Sequence, residues 1–144
     1  MLAFDLMEPT LEQRIGLDDL MAKIREKVNE AGFDLVVGVA RGGLLPAYLA
    51  ARWLDIPLET IHLNLRDDSH RPVRERPLLL KPVDFDWAGK RILLCDDVSN
   101  SGATLAVAAD CLPGARITSL VISGTADISL FGPHDRCIRW PWSR

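Results

Sequence analysis

The pattern of apolar and polar residues along the chain predicts helices that alternate with strands. Apolar residues recur at roughly helical spacing from Thr10 to Ala31, and further helices are predicted over Leu44–Leu54 and Ala103–Leu112. Continuous or alternating apolar runs predict strands at Asp34–Ala40, Leu58–Leu65, around Leu78–Val83, Ile92–Asp96, Ile117–Ser123 and Arg136–Arg139. Because strands alternate with helices, we expect an α/β fold with a largely parallel central sheet flanked by helices.

Composition and charge narrow the class of protein. The 144 residues, 48% hydrophobic and 26% charged, suit one globular domain over residues 1–144. A net charge of −3 gives no reason to expect a nucleic-acid or membrane partner. The opening residues, MLAFDLMEPTLEQR, carry acids where a secretion signal carries basic residues, and the three cysteines lack metal-ligand spacing. We therefore expect a cytoplasmic protein with reduced thiols.

The stretch RILLCDDVSNSGATL contains the strongest chemical signal. Two adjacent carboxylates, Asp96 and Asp97, end a predicted strand, and a small polar loop leads from them into a predicted helix at Ala103. Free backbone amides at a helix start, with nearby hydroxyls, suit a phosphate monoester. The acids suit hydroxyls or a divalent cation on the same ligand, so the pattern favours a phosphorylated sugar with Mg²⁺.

This stretch closely resembles the phosphoribosyl-diphosphate (PRPP) signature of the type I phosphoribosyltransferases. GVARGGLLPAYLA, from Gly38 to Ala50, resembles that family's diphosphate-binding loop, and the charged segment Arg66–Pro77 lies where the family has a flexible hood. RWPW near the C-terminus is similar to the short xanthine-guanine branch. The resemblance implies a nucleotide-salvage enzyme that transfers the phosphoribosyl group from PRPP to a nucleobase and releases diphosphate.

The resemblance also implies roles for particular residues. Asp96 and Asp97 would accept hydrogen bonds from the ribose hydroxyls and, through PRPP, help to hold Mg²⁺, with Asn100 as the third catalytic position. The 5-phosphate would bind at Ser99, Asn100, Ser101, Gly102, Ala103 and Thr104, and the diphosphate at Arg41, Gly42 and Gly43. Trp140 is the candidate to stack on the base. Loops of this kind often contain a cis peptide bond, so we expect the Ala40–Arg41 bond to be cis, or able to become cis, when diphosphate binds. A homodimer or larger homo-oligomer is also expected.

The residues expected to bind the acceptor base differ from those of the family's purine enzymes. The purine enzymes usually carry an aspartate where this chain has Asn100. They also carry a lysine on the following strand, whereas no lysine follows Lys90 here. An amide cannot act as a base at pH 7. Guanine and xanthine are therefore expected to be poor substrates, and the acceptor base stays open. A non-catalytic PRPP or nucleotide sensor is the alternative function.

Overall fold

A computed structural model of the chain describes residues 12–64, 78–99, 101–133 and 137–139. These residues form three helices: α1 (Leu17–Lys27), α2 (Leu44–Leu54) and α3 (Ala103–Asp110). They also form eight strands: β1 (Glu12–Arg14), β2 (Leu35–Ala40), β3 (Leu58–Asn64), β4 (Leu78–Leu79), β5 (Arg91–Ser99), β6 (Arg116–Gly124), β7 (Ile128–Ser129) and β8 (Cys137–Arg139). None of the helices in these ranges is both long and apolar enough to cross a membrane.

The main sheet has the strand order β4-β3-β2-β5-β6-β7. Its five strands from β3 to β7 pair in parallel, and β4 adds an antiparallel edge to β3. The predicted α/β fold with a largely parallel sheet is therefore confirmed. Strands β1 and β8 form a separate parallel pair, in which Gln13 lies opposite Ile138.

Two apolar cores cover the faces of the sheet, because successive strand residues point to opposite sides. One core joins β2, β5 and β6 to helices α1 and α2, with Leu20, Ile24, Val36, Ala47, Ala50, Leu93 and Cys95 among its buried residues. The other joins the same strands to helix α3, with Val37, Leu94, Leu105, Ala108, Leu112 and Val121 among them. The sheet is therefore covered on both faces, as parallel sheets require.

Helix α2 spans the predicted residues, whereas the first helix is shorter than predicted. The prediction from Thr10 to Ala31 was wrong at both ends, because the helix begins at Leu17 and ends at Lys27. Gly16 has an extended backbone, and its N–H donates to the Asp19 carboxylate at 2.8 Å, which fixes the start. At the other end Val28 is also extended and lies in the core, 4% exposed.

Strand β5 is longer than predicted. It runs to Ser99, whereas the sequence predicted an end at Asp96. The additional residues pair with β6, where Val98 lies opposite Ser123 and Ser99 opposite Gly124. The paired acids therefore lie inside a hydrogen-bonded strand rather than in the loop after it.

Candidate active site

The two sequence motifs meet at one edge of the sheet. The Arg41–Gly43 loop follows β2, and the paired acids lie in the last part of β5, which is the parallel neighbour of β2. Carboxyl ends of parallel strands lie at the same edge and are the usual place for a ligand in open α/β sheets. The topology therefore joins a glycine loop and two carboxylates that are far apart in the sequence.

Gly42 and Gly43 pack directly against β5. A Cβ atom on Gly42 would lie 2.5 Å from Cγ and Oδ2 of Asp97, and one on Gly43 would collide with the carbonyl oxygen of Cys95. Only glycine allows the loop backbone to come so close to the neighbouring strand. The peptide bond between Ala40 and Arg41 is cis, as expected from the sequence. The two glycine contacts place the loop against the second half of β5.

Asp96 and Asp97 lie in different environments, although they are neighbours. Asp96 points to the α3 face and is only 8% exposed, and its Oδ1 accepts the N–H of Asp97 at 2.9 Å. Burial, followed by the nearby charge of Asp97, raises the pKa of Asp96 to about 7. Asp97 points to the α2 face beside Gly42, is half-buried, and accepts the N–H of Val98 at 2.7 Å. The pair therefore presents one shielded and one more accessible carboxyl group.

The start of helix α3 forms an open cradle of amides. Gly102 adopts a left-handed conformation (φ 80°) and precedes the first helical residue, and a Cβ on it would meet nothing within 4 Å. The N–H of Ala103 donates to the hydroxyl oxygen of Ser101 at 3.2 Å, and the first turn carries no acidic residue. Because this first turn carries no acidic side chain, the positive end of the helix dipole suits an anion there.

Ser99 does not lie in this cradle. It belongs to β5, is 6% exposed, and its hydroxyl is buried without a hydrogen-bond partner. The opposing Gly124 (φ 115°) packs against it so closely that a Cβ there would collide with the carbonyl oxygen of Ser99. Sequence reasoning did not single out Gly124; its only signal was a glycine after a predicted strand.

Two further predicted site residues, Asn100 and Trp140, lie outside the described residues, as does the hood segment Arg66–Pro77. Within the described ranges, no three His, Cys, Asp or Glu side chains are grouped so as to hold a metal ion. Asp96 and Asp97 are two oxygen-donor groups. This donor set suits Mg²⁺, which usually binds one or two carboxylates together with substrate phosphates and water.

The ligand-binding edge of this parallel α/β sheet carries two carboxylates, a glycine loop and a helix start, an arrangement suited to a phosphorylated ligand. The sequence profile described as the phosphoribosyl transferase domain matches residues 9–125. The chain belongs to this family, and the resemblance inferred from the sequence is confirmed.

Individual relatives agree with the family match. The chain is 31% identical to the xanthine-guanine phosphoribosyltransferase of Desulfotalea psychrophila over 116 residues, which covers 76% of this chain and 70% of that protein. It is 28% identical to the orotate phosphoribosyltransferase of Sulfurisphaera tokodaii, over 72% of this chain but only 50% of that protein. The crystal structure of a purine phosphoribosyltransferase from Pyrococcus horikoshii superposes with a TM-score of 0.75 at 28% identity, covering 94% and 96% of the two chains. None of these comparisons supports the non-catalytic alternative.

Proposed function

We propose that the protein is a Mg²⁺-dependent phosphoribosyltransferase that transfers the 5-phosphoribosyl group of PRPP to a ring nitrogen of a nucleobase. The contact between Gly42 and Asp97 carries this proposal. It places the loop suited to diphosphate beside the acids suited to ribose, so one PRPP molecule can span both. Relatives named as phosphoribosyltransferases of purines and of orotate support the same reaction.

Each chemical group of PRPP is matched by residues at the ligand-binding edge of the main sheet. The amides at the start of α3, with the hydroxyls of Ser101 and Thr104, hold the 5-phosphate. Asp96 and Asp97 accept hydrogen bonds from the ribose hydroxyls. The Arg41 side chain and the amides of Gly42 and Gly43 hold the diphosphate. Ser99 is left out of the phosphate group because it is buried in β5.

The reaction exchanges one bond at C1 of the sugar for another. The bond from C1 to the diphosphate oxygen breaks and its electron pair leaves with diphosphate, while the N–H proton of the base passes to water. The base nitrogen forms a new bond to C1 through an oxocarbenium-like centre. That centre carries positive charge, which the nearby carboxylates of Asp96 and Asp97 stabilise. Asp96 and Asp97, together with the diphosphate, would hold Mg²⁺, and the ion would supply neutralisation of the departing charge.

The test is to incubate the protein with PRPP, Mg²⁺ and single free bases, and to follow diphosphate release. We expect turnover with at least one base, at the rates of about 1–1,000 per second that are typical of enzymes. Omitting Mg²⁺ should abolish it. Calorimetry that shows PRPP binding, with no turnover across the panel, would instead support a sensor. The cytoplasmic location, the homo-oligomer and the single domain over residues 1–144 remain predictions.

A further inference from the structure

His62 lies one strand away from the Arg41–Gly43 loop. It belongs to β3 and is the register partner of Ala40, the last residue of β2 before this loop. Neighbouring strands are about 4.8 Å apart, so His62 lies beside the start of the loop at the ligand-binding edge. The sequence motifs of the site do not include it.

The His62 side chain points to the same face of the sheet as the Asp97 carboxylate. Its neighbours Ile61 and Leu63 are buried in the core on the α3 side, and strand residues alternate, so His62 points to the side of α1 and α2. Asp97 lies on that side too, against Gly42. His62 is half-buried, so part of its ring is accessible to a ligand.

One nitrogen of the imidazole ring is held by the strand itself. Nε2 of His62 lies 3.3 Å from the hydroxyl oxygen of Thr60, which is on the same face and nearer the start of β3. Because the ring nitrogens point in nearly opposite directions, Nδ1 points toward the end of β3 and hence toward the ligand-binding edge. When Nε2 accepts the Thr60 hydroxyl, Nδ1 carries the hydrogen and is a donor. Within the described residues, no group forms a hydrogen bond with Nδ1.

The strand order places the groups that suit PRPP in a row. The acids suited to ribose lie on β5, the loop suited to diphosphate follows β2, and His62 lies on β3, the next strand along. Diphosphate is attached at C1 of the sugar, so its terminal phosphate is its part farthest from the acids, whose charge repels it. Given the proposed function, on which this inference rests, the terminal phosphate extends from the end of β2 toward β3.

The groups next to His62 suit such an anion. The Arg41 side chain is exposed and forms no ion pair with another described residue. Helix α2 begins directly after the loop, and its first turn carries no acidic residue, so the positive end of its dipole is also at this edge. Together with Nδ1 of His62, these groups surround the side of the loop that faces β3.

We propose that His62 is a further substrate-binding residue, whose Nδ1–H donates a hydrogen bond to the terminal phosphate of PRPP and of the released diphosphate. Thr60 is then a positioning residue, because its hydroxyl orients the ring through Nε2. The contact holds the leaving group and does not touch the acceptor base.

Calorimetric titration with ligands that contain or lack the diphosphate tests this contact. PRPP and diphosphate, each with Mg²⁺, contain the terminal phosphate, whereas ribose 5-phosphate does not. His62→Leu should weaken binding of PRPP and diphosphate about tenfold to a hundredfold, because a hydrogen bond to a charged group is lost, and leave ribose 5-phosphate affinity within about twofold. No loss for diphosphate, or equal losses for all three ligands, would overturn the role of His62 and leave the proposed function standing. An unmodified protein that binds neither PRPP nor diphosphate would contradict both.

Two amide variants test which ring nitrogen makes the contact. The side-chain nitrogen of asparagine can take the place of Nδ1, whereas that of glutamine reaches the place of Nε2. His62→Asn should therefore keep diphosphate affinity within about threefold of the unmodified protein, and His62→Gln should lose about tenfold or more. Equal affinities in the two variants would overturn the assignment to Nδ1. If His62→Leu does not fold, this comparison still decides the question.

Variants of the same strand test the positioning role and supply the control. Thr60→Val removes the hydroxyl that orients the ring and should weaken diphosphate binding about threefold, and Thr60→Ser should restore it. Glu59→Gln is the matched control, since Glu59 is also half-buried on β3 but points to the α3 side. It should change diphosphate affinity less than about twofold. A loss in Thr60→Ser as large as in Thr60→Val would overturn the positioning role of Thr60.

Discussion

The carboxylate of Asp97 lies where a side chain on Gly42 would have to be. A Cβ on Gly42 would be 2.5 Å from Cγ of Asp97, far closer than two unbonded atoms can approach. The Arg41–Gly43 loop and the paired acids are therefore one packed unit, and a change to either Gly42 or Asp97 acts on the other.

We expect Gly42→Ala to weaken diphosphate binding by roughly one to two orders of magnitude, because the new methyl group displaces the Asp97 carboxylate or the loop backbone. The measurement is calorimetric titration with diphosphate and Mg²⁺. Gly16→Ala is the control, since a Cβ there would meet its nearest neighbour at 3.5 Å and Gly16 has no positive φ. Unchanged diphosphate affinity in Gly42→Ala would contradict the placement of diphosphate on this loop.

Thr104→Ala should reduce PRPP affinity, because it removes a hydroxyl donor to the 5-phosphate. The loss of a hydrogen bond to a charged group is worth about 1.5–3 kcal/mol, or roughly one to two orders of magnitude in Kd. Thr118→Ala is the matched control for Thr104→Ala, because Thr118 is also half-buried but lies in the first half of β6. PRPP affinity that falls equally in both variants would point to a general loss of structure instead.

Asp96→Asn should make the free protein more stable at pH 7.5 while it weakens PRPP binding. The pKa of Asp96 is raised from 3.8 to about 7, first by burial and then by Asp97. The unfolded chain therefore loses this proton before the folded protein does, and the stability falls as the pH rises from about 4 to about 7. A neutral asparagine avoids that loss.

Thermal unfolding of the unmodified protein and of the Asp96→Asn variant at pH 4 and pH 7.5 checks this prediction. Each kcal/mol of stability corresponds to a change of about 2–4 °C in Tm. The variant should have the higher Tm at pH 7.5, and the difference should shrink at pH 4. A difference that is independent of pH would show that ionisation of Asp96 is not the cause.

The ion pair between Asp34 and Arg91 should stabilise the fold except in strong acid. Nη2 of Arg91 lies 2.9 Å from Oδ1 of Asp34, and the backbone N–H of Arg91 donates to Oδ2 at 2.9 Å. The side-chain hydrogen bond, followed by the backbone one, lowers the pKa of Asp34 to about 2. Because the folded pKa is depressed, the stabilisation is present above the ordinary value of 3.8 and is lost as the pH falls toward 2.

Asp34→Asn should accordingly lower Tm at pH 7, and the difference from the unmodified protein should narrow between about pH 4 and pH 2. Asp84→Asn serves as the control, because Asp84 is an exposed carboxylate that lines the same surface pocket as Asp34. A Tm difference for Asp34→Asn that persists unchanged below pH 2.5 would rule out the ion pair as its source.

Elements whose ends are determined by neighbouring residues were predictable from the sequence. Helix α2 begins and ends at the predicted residues, because the helix-forming run after Gly43 and the turn at Asp55 both depend on neighbouring residues in the sequence. The position of the paired acids at the ligand-binding edge was also predictable, since they directly follow an apolar run.

Features that depend on distant pairing were not predictable in this way. Glu12–Arg14 forms a strand only because Cys137–Arg139 pairs with it, so its helical pattern was misleading. Ser99 belongs to β5 because Gly124 approaches its backbone, and no residue near Ser99 signals this. The contact between Gly42 and Asp97 likewise follows from strand order.

The pairing of β1 with β8 also bears on how the chain folds. Gln13 and Ile138 lie near opposite ends of the described sequence, so joining them closes a loop of almost the whole chain. The entropy lost in closing a loop grows with its length, and long-range pairs form slowly unless shorter loops have closed first. The neighbouring β2, α2 and β3 segments can assemble early, whereas the β1–β8 ladder closes only on a sheet that already exists. We therefore expect the β1–β8 ladder to be the last part of the architecture to form and the first to open.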